Sequence, residues 1–175
     1  MKMTMCESAR PDAGREMEHQ LSLTYGAFCR DRWRVYRRFC TASTGSASAG
    51  AEIARGALRE LAPKWPMALR SSSPAAVAWE LLSTKSHTRR TESVRCLHRM
   101  LLPREADALL LRYRLGLSSQ QAGAAMGLGP AEFTLLQTRA LSNVTARLDF
   151  LDMPMSHAVT HARGVRRGTG WPGGG

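Results

Sequence analysis

The apolar positions of this chain recur at helical spacing from one end of its middle section to the other. Leu21, Tyr25, Phe28, Val35, Phe39 and Cys40 return to one side of a helix. The run Thr41 to Gly50, made of Ser, Thr, Gly and Ala, reads as a loop. A second helix places Ile53, Ala57, Leu58 and Leu61 on one face, and Pro63 and Pro66 close it. Pro74 sits where a third helix begins, with Val77, Leu81 and Leu82 apolar. No stretch alternates as a strand would, and no segment repeats. The fold class expected is all-α, in two small helical lobes joined by a linker.

The boundaries follow from where the pattern fails. Residues 1–19 are polar without periodicity, and the tail 151–175 holds Pro154, Gly164, Gly168, Gly170 and a closing Pro172-Gly-Gly-Gly. Both ends read as disordered, because such composition buries too little apolar surface to offset the entropy of ordering. The front lobe spans residues 20–82, a polar and basic linker 83–100, and the back lobe 101–150.

The back lobe is the more specific. Pro103 opens a helix at a position where a missing N–H is harmless. Ala106, Leu109, Leu110 and Tyr113 give that helix an apolar stripe, and Gly116 ends it as a left-handed cap. Ser118 with Gln121 three residues on is a capping box for a short second helix that ends at Gly127. Gly123 lies mid-helix, where two helices crossing steeply must touch, and Gly127 tolerates the positive φ of a sharp turn. Pro130 starts a third helix, with Phe133 and Leu136 facing inward. The arrangement is that of a DNA-binding helix-turn-helix; the bland alternative is a helical hairpin with a glycine turn.

Charge adds a partner class. Lys and Arg number 25 against 14 Asp and Glu, a formal net charge of +11, in a chain of 175 residues. That balance suits a polyanion such as nucleic acid, although an arginine bias beside so much Ala and Gly also fits a GC-rich genome. The start carries no apolar h-region and no apolar run approaches a membrane span, so neither export nor anchoring is expected. Cys6, Cys29, Cys40 and Cys96 show no paired spacing and read as reduced cytoplasmic thiols. His157 and His161 lie four apart without a third ligand, so no metal site is expected. No phosphate-cradling glycine loop or nucleophile elbow is present, and no enzymatic role or cofactor is expected. Glu105 and Asp107 read as helix-start carboxylates facing the dipole rather than an acid–base pair.

The string Leu102-Pro-Arg-Glu-Ala-Asp-Ala-Leu-Leu-Leu-Arg-Tyr, followed by Gly116-Leu-Ser, Gly127-Leu and Arg139-Ala-Leu, resembles region 4 of bacterial sigma factors of the extracytoplasmic-function group. More faintly, Tyr36-Arg-Arg-Phe, Ala51-Glu52, Leu58, Trp65 and Ala78-Trp79 are similar to region 2 of that group, in the same order. The resemblance covers about residues 21–150. It implies core RNA polymerase and promoter DNA as partners, an anti-sigma or other regulatory protein as a further one, and a cytoplasmic location. It implies DNA contacts at Ser119, Gln120, Ala131, Glu132, Thr134, Leu135 and Arg139, and polymerase contacts at Glu52, Arg55 and Leu58. Arg34, Arg37, Arg38, Arg89 and Arg90 are further candidates for phosphate-backbone contacts, with Trp33 and Tyr36 interleaved for stacking; solvated arginines are the plain alternative. Trp65, Trp79 and Tyr113 read as core.

The chain also departs from that pattern. The early face of the third helix, where the family carries Lys and Arg, holds Pro130, Ala131, Glu132, Thr134 and Leu135, and Arg139 is its first cation. Arg55 and Gly56 stand where the polymerase-binding patch has Gln and an acid. The element preceding Arg89 is about four residues short, roughly one helical turn. Two functions follow: a divergent initiation factor that directs polymerase to promoters, or a degenerate sigma-like protein that modulates transcription through protein contacts without reading promoters. A plain helix-turn-helix regulator that dimerises through its front lobe is a third.

Overall fold

The computed structural model describes residues 10–152, with side chains over 14–148. Among the described residues eight α-helices follow one another: α1 (Arg10–Thr44), α2 (Ala47–Leu61), α3 (Trp65–Arg70), α4 (Pro74–Ser86), α5 (Glu92–Met100), α6 (Pro103–Leu109), α7 (Ser119–Met126) and α8 (Pro130–Asp152). Short 3-10 turns lie at Ala62–Lys64 and His87–Arg89, and a π-helical turn at Leu110–Arg114. No strand is present among the described residues. The molecule is all-α, as its periodicity implies.

Three boundaries differ from the sequence reading. Helix already starts at Arg10, inside the stretch expected to be disordered; the expectations for residues 1–9 and 153–175, including His157 and His161, lie outside the described residues. The expected loop Thr41–Gly50 shrinks to Gly45 and Ser46. Gly45 takes φ 71° and the Ser46 hydroxyl accepts from the Ala49 N–H, which caps α2. The small residues here serve a close crossing: a Cβ on Gly50 would lie 2.7 Å from the Thr41 Cα. Loop-like composition thus marks helices in contact, because small side chains are what lets α1 and α2 approach.

The third difference concerns the expected basic linker, residues 83–100, which is mostly helical. α4 runs on to Ser86, a 3-10 turn follows, and α5 is capped by the Thr91 hydroxyl, which accepts from the Val94 N–H. The Thr91 N–H donates to the Ser43 carbonyl at 2.9 Å, tying this stretch to the end of α1. Val94 is buried, and Leu97 packs against both hydrophobic clusters. α5 is amphipathic, and its one apolar stripe has a place to go.

The halves pack on a common core. Tyr36, Phe39, Ile53, Leu61, Trp65 and Trp79 from the front join Leu111, Leu117, Met126 and Phe133 from the back in one buried cluster. A smaller cluster of Leu101, Ala106, Leu109 and Ala140 holds α6 against α8. Full burial of a large apolar side chain contributes about 1.5–3 kcal/mol, so this shared core is a substantial part of the fold. Trp65 and Trp79 are core residues, as expected. Trp79 packs on Tyr36 and Phe39, and Trp65 on Tyr25 and Phe28. Tyr113, expected in the core, is 61% exposed, and its hydroxyl accepts from the Gln137 side chain. The π turn explains the displacement. The Leu115 N–H reaches back to the Leu110 carbonyl rather than that of Leu111, so the helical register shifts just where Tyr113 would have continued the stripe.

Candidate nucleic-acid interface

The helix-turn-helix forms as its sequence dictates. The Leu102 N–H donates to the Glu105 carboxylate at 3.3 Å, and Pro103 occupies the first turn of α6. Gly116 takes φ 69°, and Leu117 is buried. The Ser118 N–H donates to Gln121 Oε1 and the Gln121 N–H to Ser118 Oγ, which completes the capping box of α7. Gly127 ends α7 at φ 70°. At the crossing, a Cβ on Gly123 would stand 3.0 Å from the Leu128 carbonyl and 3.2 Å from the Phe133 Cβ, and Phe133 is fully buried.

The turn has a second role that the spacing does not reveal. A Cβ on Gly127 would meet the Ala76 N, Ser73 Oγ and, at 2.8 Å, the Ala76 Cα. The turn therefore rests directly on the start of α4. Across the same junction the Tyr36 hydroxyl donates to the Ala125 carbonyl at 3.3 Å.

The expected DNA contacts occupy the exposed side of this unit. Gln120, Ala131, Glu132, Thr134, Leu135 and Arg139 are exposed, and Ser119 is half-buried. Among them Glu132 and Thr134 are engaged within the protein, whereas Gln120 and Arg139 are exposed without such a partner among the described residues. One Glu132 carboxylate oxygen accepts from the Gly129 N–H at 2.8 Å, capping α8. The hydroxyls of Thr134, Thr138 and Thr145 donate to the carbonyls four residues back, Pro130, Thr134 and Leu141, at 2.9–3.0 Å. The stripe Thr134, Thr138, Leu141, Thr145, Leu148, at steps of three and four, thus offers methyl groups instead of hydroxyl donors. Beside it Leu135 is 62% exposed.

The polymerase candidates are only partly accessible. Glu52 and Arg55 are exposed, but Leu58 is buried at 7% exposure. It faces the core with Ile53 and Leu61, and its carbonyl accepts from the Tyr25 hydroxyl at 2.6 Å, so it cannot be a surface contact. Glu52 accepts from Arg89 at 2.7 Å across the surface. Arg34, Arg37 and Arg38 are exposed on α1, whereas Tyr36 is fully buried and Trp33 packs against the core. The interleaved aromatics therefore do not make a base-stacking platform. Burial pushes the Tyr36 hydroxyl well above its ordinary range, in keeping with its interior role.

Arg90, a candidate backbone contact, is 5% exposed and points inward. It donates to Ser83 and stands 3.9 Å from Asp107 Oδ1; burial lowers its pKa. Asp107 is itself only 1% exposed. Its Oδ2 accepts from Trp79 Nε1 at 3.1 Å and from Ser83 Oγ at 3.0 Å, and His98 Nε2 lies 3.3 Å from Oδ1. The carboxylate expected to act as a helix-start group facing the dipole is a buried node that joins α4, α5 and α6. A short sequence signal existed: Trp79, Ser83 and Arg90 supply hydrogen-bond donors that an interior must satisfy. Glu105 is also buried; it accepts from the Leu102 N–H and from Asn143 of α8. Among the described residues no group of three His, Cys, Asp or Glu side chains is placed to hold a metal, and no helix is long and apolar enough to cross a membrane.

No family model and no curated protein matches this chain. Among solved structures it is similar to the anti-anti-sigma factor PhyR from Bartonella quintana, crystallised with the anti-sigma factor NepR, at 22% identity and a TM-score of 0.45. The match covers 70% of this chain and 49% of PhyR, so the chain spans about half the length of that protein.

Proposed function

We propose that the chain is a sigma-like helical protein that binds core RNA polymerase through the exposed face of α8 and modulates transcription without reading a promoter. The observation that carries this reading is the chemistry of that face. Thr134, Thr138 and Thr145 have their hydroxyl protons bonded within the helix, Glu132 caps it, and Leu135 lies open to solvent. Base-edge readout needs unspent donors and acceptors, and phosphate contacts need cations. A methyl-rich helix face, on which Arg139 is the one cation among the expected contacts, suits a protein groove better, because apolar side chains on successive turns are the anchors of helix-in-groove recognition. The polymerase as partner is taken from the sigma resemblance over residues 21–150, which also implies action in the cytoplasm. The reading assigns the chain no catalytic step.

Co-purification of the tagged chain with bacterial core RNA polymerase at near-physiological salt tests it. Retention of polymerase by the unaltered chain, and its loss in Leu135→Asp with an unchanged melting curve, is the expected outcome. No retention, or equal retention by Leu135→Asp, overturns it. The second reading, a working initiation factor, is favoured by the order of sigma-like landmarks in both halves. It differs in one output: discrete transcripts when the complex is supplied with promoter DNA.

A further inference from the structure

Folding of the two halves onto one core brings together arginines that the sequence keeps far apart. Arg37 and Arg38 of α1 and Arg114 at the end of the π turn line one groove of about 400 Å³, with Thr41, Leu115 and Ala47, the first residue of α2. Arg38 Nη2 donates to the Leu115 carbonyl at 2.9 Å, which fixes that guanidinium at the groove wall. Arg37 and Arg114 have no acidic partner among the described residues, whereas Glu60 takes Lys64 and Lys85 and Glu92 takes Arg95 and Arg99. A cavity of that size is about 9 Å across if taken as a sphere, comparable to the Debye length of about 10 Å at 0.1 M salt, so charges around it are only partly screened from one another. The start of α2 adds its positive dipole end to the same side.

We propose that this groove is a phosphate-binding site that holds a nucleic-acid backbone without reading its sequence. Guanidinium groups match phosphate oxygens with paired, charge-assisted hydrogen bonds, and the arrangement relieves the repulsion among the arginines. No aromatic lines the groove: Tyr36 is buried, and Tyr113, although exposed and next to Arg114, is not among the lining residues. Base stacking is therefore absent from the design, and duplex is bound through its backbone. The groove lies off α8, so its test is independent of the polymerase reading. It also assigns a partner to Arg114, which the helix-turn-helix pattern leaves without one.

The test uses the full chain and a fluorescein-labelled duplex of mixed sequence, with anisotropy titrations from 50 to 200 mM salt. Each phosphate contact contributes about 0.9 to the slope of log affinity against log salt. Removing two contacts with Arg37→Gln/Arg114→Gln flattens the slope by about 1.8, so the wild-type advantage shrinks about twelvefold over that fourfold salt range. The charge-matched control Arg59→Gln/Arg70→Gln, outside the groove, leaves the slope close to that of the unaltered chain. Equal slopes for the groove variant and the unaltered chain overturn the proposal. Equal losses in the groove variant and the control reduce the effect to net charge and overturn it as well. Release of the duplex by pyrophosphate, but not by an equally charged poly-glutamate peptide, is expected. Release by the peptide alone reassigns the groove to an acidic protein segment and overturns the nucleic-acid assignment.

Discussion

Replacing Gly127 with alanine isolates the contact that docks the helix-turn-helix onto the front half. Gly127 has φ 70°, and its Cβ would stand 2.8 Å from the Ala76 Cα, with the Ala76 N and Ser73 Oγ nearer still. Two costs add. The left-handed conformation costs about 1–2 kcal/mol for a residue with a Cβ. The clash is with backbone, which no rotamer change relieves, so α4 and the turn must separate; overpacking of this kind costs about 1–3 kcal/mol. Gly116 supplies the internal control. It has φ 69° and nothing within 4 Å of its Cβ position, so Gly116→Ala incurs the conformational cost alone. Urea unfolding followed by circular dichroism should show a loss of about 1–2 kcal/mol for Gly116→Ala and about 2–5 kcal/mol for Gly127→Ala. In thermal melts the larger loss corresponds to a shift of roughly 2–4 °C per kcal/mol. Equal losses in the two variants would refute the reasoning, because the turn would then carry no packing against α4.

Other interactions give separate expectations. Asp107→Ala removes the acceptor of Trp79 Nε1 and Ser83 Oγ and leaves Arg90 buried without its carboxylate; the expected loss is about 3–5 kcal/mol, and a loss below about 1 kcal/mol in urea titrations would exclude Asp107 as a structural node. Glu52→Ala, which breaks only the exposed pair with Arg89, should cost less than about 1 kcal/mol by the same assay. Burial pushes the Cys40 thiol up to about 12 from 9.0, so a thiol-specific chromophore at pH 8 should label exposed Cys96 quickly and Cys40 only after unfolding. That raised value also favours the folded state below pH 9, and stability should decline as pH rises from about 9 towards 12. Glu60, held by Lys85 and Lys64, and Glu92, held by Arg99 and Arg95, both have lowered pKa values. Their contribution is present above the ordinary carboxylate range and is lost as pH falls through the lowered values; 1 M salt should weaken it, which acid titration of the melting temperature at two salt concentrations checks.

Much of the local structure was written in the chain, and most of the long-range structure was not. The stops at Gly116 and Gly127, the capping box of Ser118 and Gln121, and the starts at Pro74, Pro103 and Pro130 are short-range chemistry, and each stands in the structure where it was expected. Ser/Ala/Gly content at 41–50 misled because small residues mark a loop and a tight helix crossing alike, and only the partner helix distinguishes them. The charge of residues 83–100 hid α5, since one apolar stripe of Val94 and Leu97 is enough to seat a nine-residue helix. The inward position of Arg90, and its partner Asp107, are hidden for a related reason. A charge is expected outside unless its partner is known, and the partners here lie on other helices. Of the candidate site residues, the exposed early face of α8 was legible from helical period alone. The arginine groove was not, because Arg114 meets Arg37 only after the halves close on their shared core.

The most direct test of the central claim is run-off transcription by core RNA polymerase loaded with the full chain, on a library of bacterial genomic fragments. Polymerase that carries the chain yet yields no discrete transcripts above core enzyme alone is the predicted result. Discrete transcripts that depend on the chain would contradict it and make α8 a promoter-reading helix; polymerase that never acquires the chain would contradict it from the other side.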